Sequence, residues 1–190
     1  MAKKTNHLVG AYGLFWQLDE VTWFPGNGRN WQLLGKVGTN VNKLRVCDFR
    51  TARGFYLLFD DYGASYVGLA RGEQGLGQRL RHHVRDDSKT WSRFCWFAFD
   101  DVRPRKQVGW SEVARRDAVA EADATMIVRE LEALLIMVLG SRNQNQMKFT
   151  NADRWEQVTL ADCQRGKALT KVDRELVLDW QFRAALSELE

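Results

Sequence analysis

The sequence predicts an α/β (α+β) fold built on a small antiparallel sheet of three strands flanked by helices. Three observations predict it. Two short apolar-aromatic runs, residues 55–59 and 65–69, are separated by Asp60-Asp61-Tyr62-Gly63, a sequence that favours chain reversal, so they form a β-hairpin. Leu76, Leu80 and Val84 then recur every four residues, which is the buried stripe of a helix near 76–87. The run from 91 to 101, WSRFCWFAFDD, is aromatic at nearly every position, as a strand buried on both faces should be, and supplies the third strand at 93–99.

Residues 1–53 form an N-terminal β-rich extension. Residues 7–16 and 21–24 are aromatic and β-rich, Pro25-Gly26-Asn27-Gly28 is a turn, and residues 31–37 and 44–49 are further strands. Trp16, Trp23 and Trp31 are expected in the core or at an interface. The competing reading makes exposed aromatics beside Arg29, Lys36, Lys43 and Arg45 a platform on which bases stack, and the loop 26–30 stays open between the two.

Downstream, residues 111–140 predict a helix, near 112–139 where it flanks the sheet. Ile127, Leu131, Leu134, Leu135 and Val138 make a broad apolar face. Glu130 and Glu132 sit near that face and, at about 100° per residue, point in nearly opposite directions. Either would be costly to bury without a partner, and periodicity does not choose between them. Residues 150–168 are a polar connection, and 169–189 form a C-terminal amphipathic helix with Val172, Leu176, Trp180 and Ala184 in line. The expected organisation is an extension (1–53), a core (54–150) and a C-terminal helical extension (151–190) in one compact unit.

The hydrophobic share of 45% is that of a globular protein, and eight tryptophans and ten phenylalanines supply large surfaces for its core. A net charge of +4 and an isoelectric point near 9.1 make a polyanion a reasonable partner. Cys47, Cys95 and Cys163 are far apart, form no CxxC pair and are odd in number, which argues against a disulfide framework and for a reducing cytoplasm. The basic start is not followed by the long apolar run of a signal peptide. No stretch is apolar enough to span a membrane, so no membrane partner is expected.

The chemistry-bearing residues cluster in one stretch. Tyr56 and Tyr66 each occupy a defined face of the hairpin. Arg79 and His83 are four apart, one helical turn, so all four have a common locus. Two strand tyrosines are ordinary in themselves, but Gly54 and Gly68 beside them permit close backbone approach to a ligand. Arg71, Arg79, Arg81, Arg85 and Lys89, offset by Glu73, Asp86 and Asp87, make a basic face that is usually just solvated and, next to a hairpin with this motif, is better read as a phosphate-facing side. Of the adjacent His82 and His83 only one can face the tyrosines, and the other is a surface histidine or a DNA contact. Arg103-Pro104-Arg105-Lys106 is either a solvated turn or a set of backbone-phosphate contacts.

These residues resemble the GIY-YIG nuclease family. Gly54-Phe55-Tyr56 stands at the first triplet, Tyr66-Val67-Gly68 at the second, and Arg79 and His83 at the helix positions; Leu131-Glu132-Ala133-Leu134-Leu135-Ile136 matches the L-E-x-x-L-I segment. The resemblance selects His83 over His82 and Glu132 over Glu130. It implies a DNA endonuclease in which Tyr56 is general base toward water, assisted by His83. Tyr66 then orients water or phosphate, Arg79 clamps the phosphate, and Glu132 binds Mg²⁺ or Mn²⁺. An asparagine bracing the site is implied at Asn145, with Asn143 second, although no proline precedes it. Two further functions compete: a non-catalytic nucleic-acid-binding module, and a nuclease subunit active only with a protein partner or as a homodimer.

Overall fold

The structure, a computed structural model, describes residues 7–26, 31–38, 45–86, 90–103, 111–116, 124–139, 149 and 151–159. Its elements in chain order are β1 (Ala11–Gln17), β2 (Leu34–Val37), β3 (Arg45–Asp48), β4 (Gly54–Phe59), β5 (Ala64–Ala70), α1 (Gly75–Arg85), β6 (Arg93–Ala98), β7 (Asp101–Arg103), β8 (Glu112–Ala114), α2 (Ala124–Leu139) and β9 (Asp153–Gln157). The α/β class holds, but the sheet has seven strands rather than three, in the order β3-β2-β9-β1-β6-β4-β5. The expected trio β5-β4-β6 is one end of it, fully antiparallel. β6 would otherwise present an unpaired edge, and β1 covers it antiparallel while β9 runs parallel to β1. β7 and β8 make a separate two-stranded ribbon.

Two expectations are corrected. Residues 112–114 are strand rather than helix, and the helix among the described residues, α2, covers Ala124–Leu139. Residues 153–157 are strand although the stretch is polar: only Trp155 of DRWEQ is buried, its ring packs on Phe49, and its carbonyl accepts a hydrogen bond from the Trp16 indole. The C-terminal helix expected at 169–189 lies outside the described residues.

Alternation along the central strands divides the molecule into two layers. Tyr56 and Leu58 of β4, with Phe94, Trp96 and Ala98 of β6, pack with Leu76 and Leu80 of α1. Leu57, Phe59, Cys95 and Phe97 pack with Ala133, Leu134 and Met137 of α2 on the other face. In β1 the alternation breaks at a bulge between Gly13 and Trp16, where Phe15 takes a φ of 54°. The extra residue puts Trp16 into the same layer as Ala11. No helix among the described residues is long and apolar enough to cross a membrane.

Buried polar groups tie the segment before β1 to the rest. Glu130, 4% exposed, accepts hydrogen bonds at Oε2 from the Leu8 and Val9 amides at 2.8 and 2.9 Å. Arg116 donates to the carbonyls of His7 and Leu8 at 2.8 and 2.9 Å. Asp100, 1% exposed, accepts from the Arg53 amide at 2.8 Å and from its guanidinium, and Arg53 also donates to the Arg116 carbonyl at 2.9 Å. An ion pair of this kind stabilises little in net terms, yet removing one partner strands a buried charge. Arg53→Ala should therefore lower the unfolding free energy by about 3 kcal/mol in a urea titration. A loss below about 1 kcal/mol would show that Asp100 finds other compensation.

Candidate active site

β4 places Tyr56 directly opposite Gly68 of β5, and Tyr66 lies two residues away on the same face. This diagonal relation sets their ring centroids 6.2 Å apart. Gly68 is required by contact: a Cβ at that position would collide with the Tyr56 ring and hydroxyl. α1 is held over this face by its start. Gly75 adopts a φ of +59° against the backbone of Thr51, and the Leu76 and Gly77 amides donate to the carbonyls of Ala52 and Arg50, both at 2.8 Å. Leu76 and Leu80 are fully buried beneath the helix. That anchoring carries His83 inward, where it is 8% exposed and its Nε2 lies 2.8 Å from the Tyr56 hydroxyl. The His83 ring also packs on Tyr66, with centroids 4.7 Å apart.

Arg79, one turn before His83, is exposed and closes the group. Burial pushes the Tyr56 phenol up to about 12; the neighbouring Tyr66 adds to the rise, while the Arg79 charge and hydrogen bond pull against it. Tyr56, Tyr66, Arg79 and His83 thus converge as the sequence predicts, ordered from solvent inward. Arg79 is outermost, Tyr66 is half-buried, and His83 and Tyr56 are buried. An open groove of about 890 Å³ adjoins them, lined in part by Arg71, Glu73, Gln78, Arg79 and His82. His82 faces this groove and bonds Gln78 at 3.2 Å rather than a tyrosine. The first amides of α1 are occupied by carbonyls, so the groove's pull on an anion comes from its side chains.

Glu132 does not join the group. It is exposed on α2, and α2 packs on the sheet face opposite Tyr56. Glu130 is the buried carboxylate of that helix, turned to the amides of Leu8 and Val9. The tetrad therefore contains no carboxylate, and among the described residues no group of three or more His, Cys, Asp or Glu side chains is placed to hold a metal ion. This donor set does not fit the resident divalent cation that the resemblance implies. Of the expected nucleic-acid contacts, Arg71 and His82 line the groove, and Arg81 and Arg85 lie further round α1. Arg103 is exposed at the end of β7 and is not among the groove's lining residues. Arg105, Lys106, Asn143 and Asn145 fall outside the described residues.

No protein family, curated protein or solved structure matches this chain. The site stands on its own geometry.

One contact that sequence reasoning missed is Phe24, which lies under the guanidinium groups of Arg81 and Arg85. The signal was Phe24 ahead of the Pro25-Gly26 turn, but which helix it meets depends on tertiary packing.

Tyr56 should titrate near pH 12 in an ultraviolet absorbance titration, and Tyr56→Phe should remove that step. The folded-state value stands above the ordinary phenol value of 10. The stability Tyr56 contributes is therefore intact below pH 10 and is lost as pH rises toward 12, and Tyr56→Phe should flatten that part of the curve. Gly68→Ala should cost about 1–3 kcal/mol through overpacking. It should also bring the late tyrosine step to lower pH, because the displaced ring gains water; an unshifted step would mean that the ring is not held by this contact.

Proposed function

We propose that the chain is a nuclease of the GIY-YIG kind that hydrolyses phosphodiester bonds in DNA, with Arg79, Tyr66, Tyr56 and His83 as its machinery. The observation that carries this reading is the 2.8 Å contact between the Tyr56 hydroxyl and His83 Nε2, within a cluster completed by Tyr66 and the exposed Arg79. Hydrolysis needs a base for the attacking water and positive charge for the phosphate as negative charge grows on it. Arg79 supplies the charge at the solvent edge, and its planar fork suits phosphate oxygens.

The burial of Tyr56 changes the role that the resemblance gives it. A phenol held neutral up to about 12 and shielded from solvent is a poor direct base. The half-buried Tyr66 is the better outer member. The water's proton passes to the Tyr66 oxygen, the Tyr66 proton to Tyr56, and the Tyr56 proton to Nε2 of a neutral His83. Each phenol gives up one proton as it takes another, so no buried phenolate forms. The leaving oxygen departs into the open groove, where water protonates it. The buried free thiols of Cys47 and Cys95 fit a reducing cytoplasm.

A second reading, a binding module that keeps the cluster without cutting, is favoured by one observation: the tetrad lacks a carboxylate. Supercoiled plasmid incubated with Mg²⁺, Mn²⁺ or EDTA separates the two. The wild type should nick DNA, Arg79→Ala should lower the rate about 10² to 10³-fold, and Glu132→Ala should stay near the wild-type rate. Arg79→Ala should also weaken DNA binding and reduce its salt slope by about one unit. Tetrad variants that cut normally would remove the catalytic reading, and binding without cleavage under every ion would establish the module.

A further inference from the structure

The exposed arc of α1 does not end at the groove. Arg79, His82 and Gln78 face the groove, and Arg85 and Arg81 continue the same solvent side round the helix at about 100° per residue. There the guanidinium of Arg81 lies 4.7 Å from the ring centre of Phe24 and 5.5 Å from that of Trp31, and that of Arg85 lies 5.1 Å from Phe24. Trp31 is fixed from behind, since it packs on Trp23 and against Gly77 of α1, where a Cβ would crowd it at 2.7 Å. Phe24 is the open member, 48% exposed. Among the described residues neither Arg81 nor Arg85 has a carboxylate partner, and Arg81 Nε is buried with no hydrogen-bond partner there. A large aromatic left half in water, beside two cations with no carboxylate partner among the described residues, is more than core packing requires.

We propose that Phe24, flanked by Arg81 and Arg85, is a stacking platform for an unpaired nucleotide of the nucleic acid whose backbone runs through the groove. The proposal rests on the nuclease reading for the path of that backbone. An aromatic ring can take a base only where the base is free of its neighbour, whereas a closed duplex would engage the arginines alone. The platform lies across α1 from Arg79, about one helix diameter with side chains or ~10 Å away, a span that a few nucleotides of an extended strand cover. The favoured substrate is therefore a single strand, or a duplex opened a few nucleotides from the point of attack.

The test is fluorescence anisotropy of the full chain in EDTA, with labelled oligothymidine and with a blunt duplex of equal length. The wild type should prefer the single strand. Phe24→Ala and Phe24→Leu should each weaken single-strand binding about tenfold and change duplex binding little, while Phe24→Trp should restore it. Arg81→Ala should reduce the salt slope for the single strand by about 0.7. Melting temperatures serve as the folding control. Phe24→Leu keeps the apolar packing and loses only the π-face, so unchanged binding by that variant, or a preference for duplex, overturns the proposal. Cleavage is scored separately: aromatic-dependent single-strand binding without cutting would sink the nuclease and keep the platform. Cutting with binding indifferent to Phe24 would do the reverse.

Discussion

The period-two alternation of β4 is the constraint on which the rest depends. β4 is flanked by β5 and β6, and both of its faces are covered, so each of its side chains must belong to one layer or the other. Tyr56 goes to the α1 side and Leu57 to the α2 side, and a slip of one residue would exchange them. Everything in the site follows from that assignment. Gly68 opposes Tyr56 because β5 pairs in this register, His83 meets the phenol because α1 covers this face, and α2 is left to the far side.

One short helix performs two tasks that usually fall to separate elements. The inward stripe of α1, Leu76 and Leu80, closes the core, and its flank holds the imidazole against the buried phenol. Its outer arc carries cations whose partners are aromatic rings rather than carboxylates. Rings hold guanidinium groups in place without cancelling their charge. The surface therefore stays attractive to phosphate while remaining ordered, and the N-terminal extension contributes by supplying those rings. The same separation of layers keeps the carboxylates of α2 away from the tetrad: Glu130 serves the backbone of Leu8 and Val9 across the sheet.

Much of this was legible in the sequence. The hairpin, the stripe of α1 and the aromatic β6 are local patterns, and the convergence of Tyr56, Tyr66, Arg79 and His83 follows from them. What was not legible shares one cause. Helical periodicity says which residues of α2 are apolar, but not which face of the sheet they will meet, so nothing in it opposed the Glu132 that the resemblance selected. β9 buries a single side chain, Trp155, and its polar composition hides a strand that is defined by its neighbours. The pairing of Phe24 with Arg81 and Arg85 joins segments distant in sequence, and no local signal specifies it.

The place of β9 has a consequence for the order in which the chain acquires its shape. β9 lies between β1 and β2, so within the sheet the β2–β3 hairpin is joined to the other strands through β9 alone. During synthesis the hairpin emerges early, but its berth does not exist until a strand more than a hundred residues later has left the ribosome. Until then β1 offers an open parallel edge, the Phe49 ring lacks the indole of Trp155 that packs on it, and the Trp16 indole lacks the Trp155 carbonyl that it donates to. Long-range closure of this kind is slow and exposes strand edges to other chains. The nascent chain is therefore most exposed to aggregation just before β9 arrives.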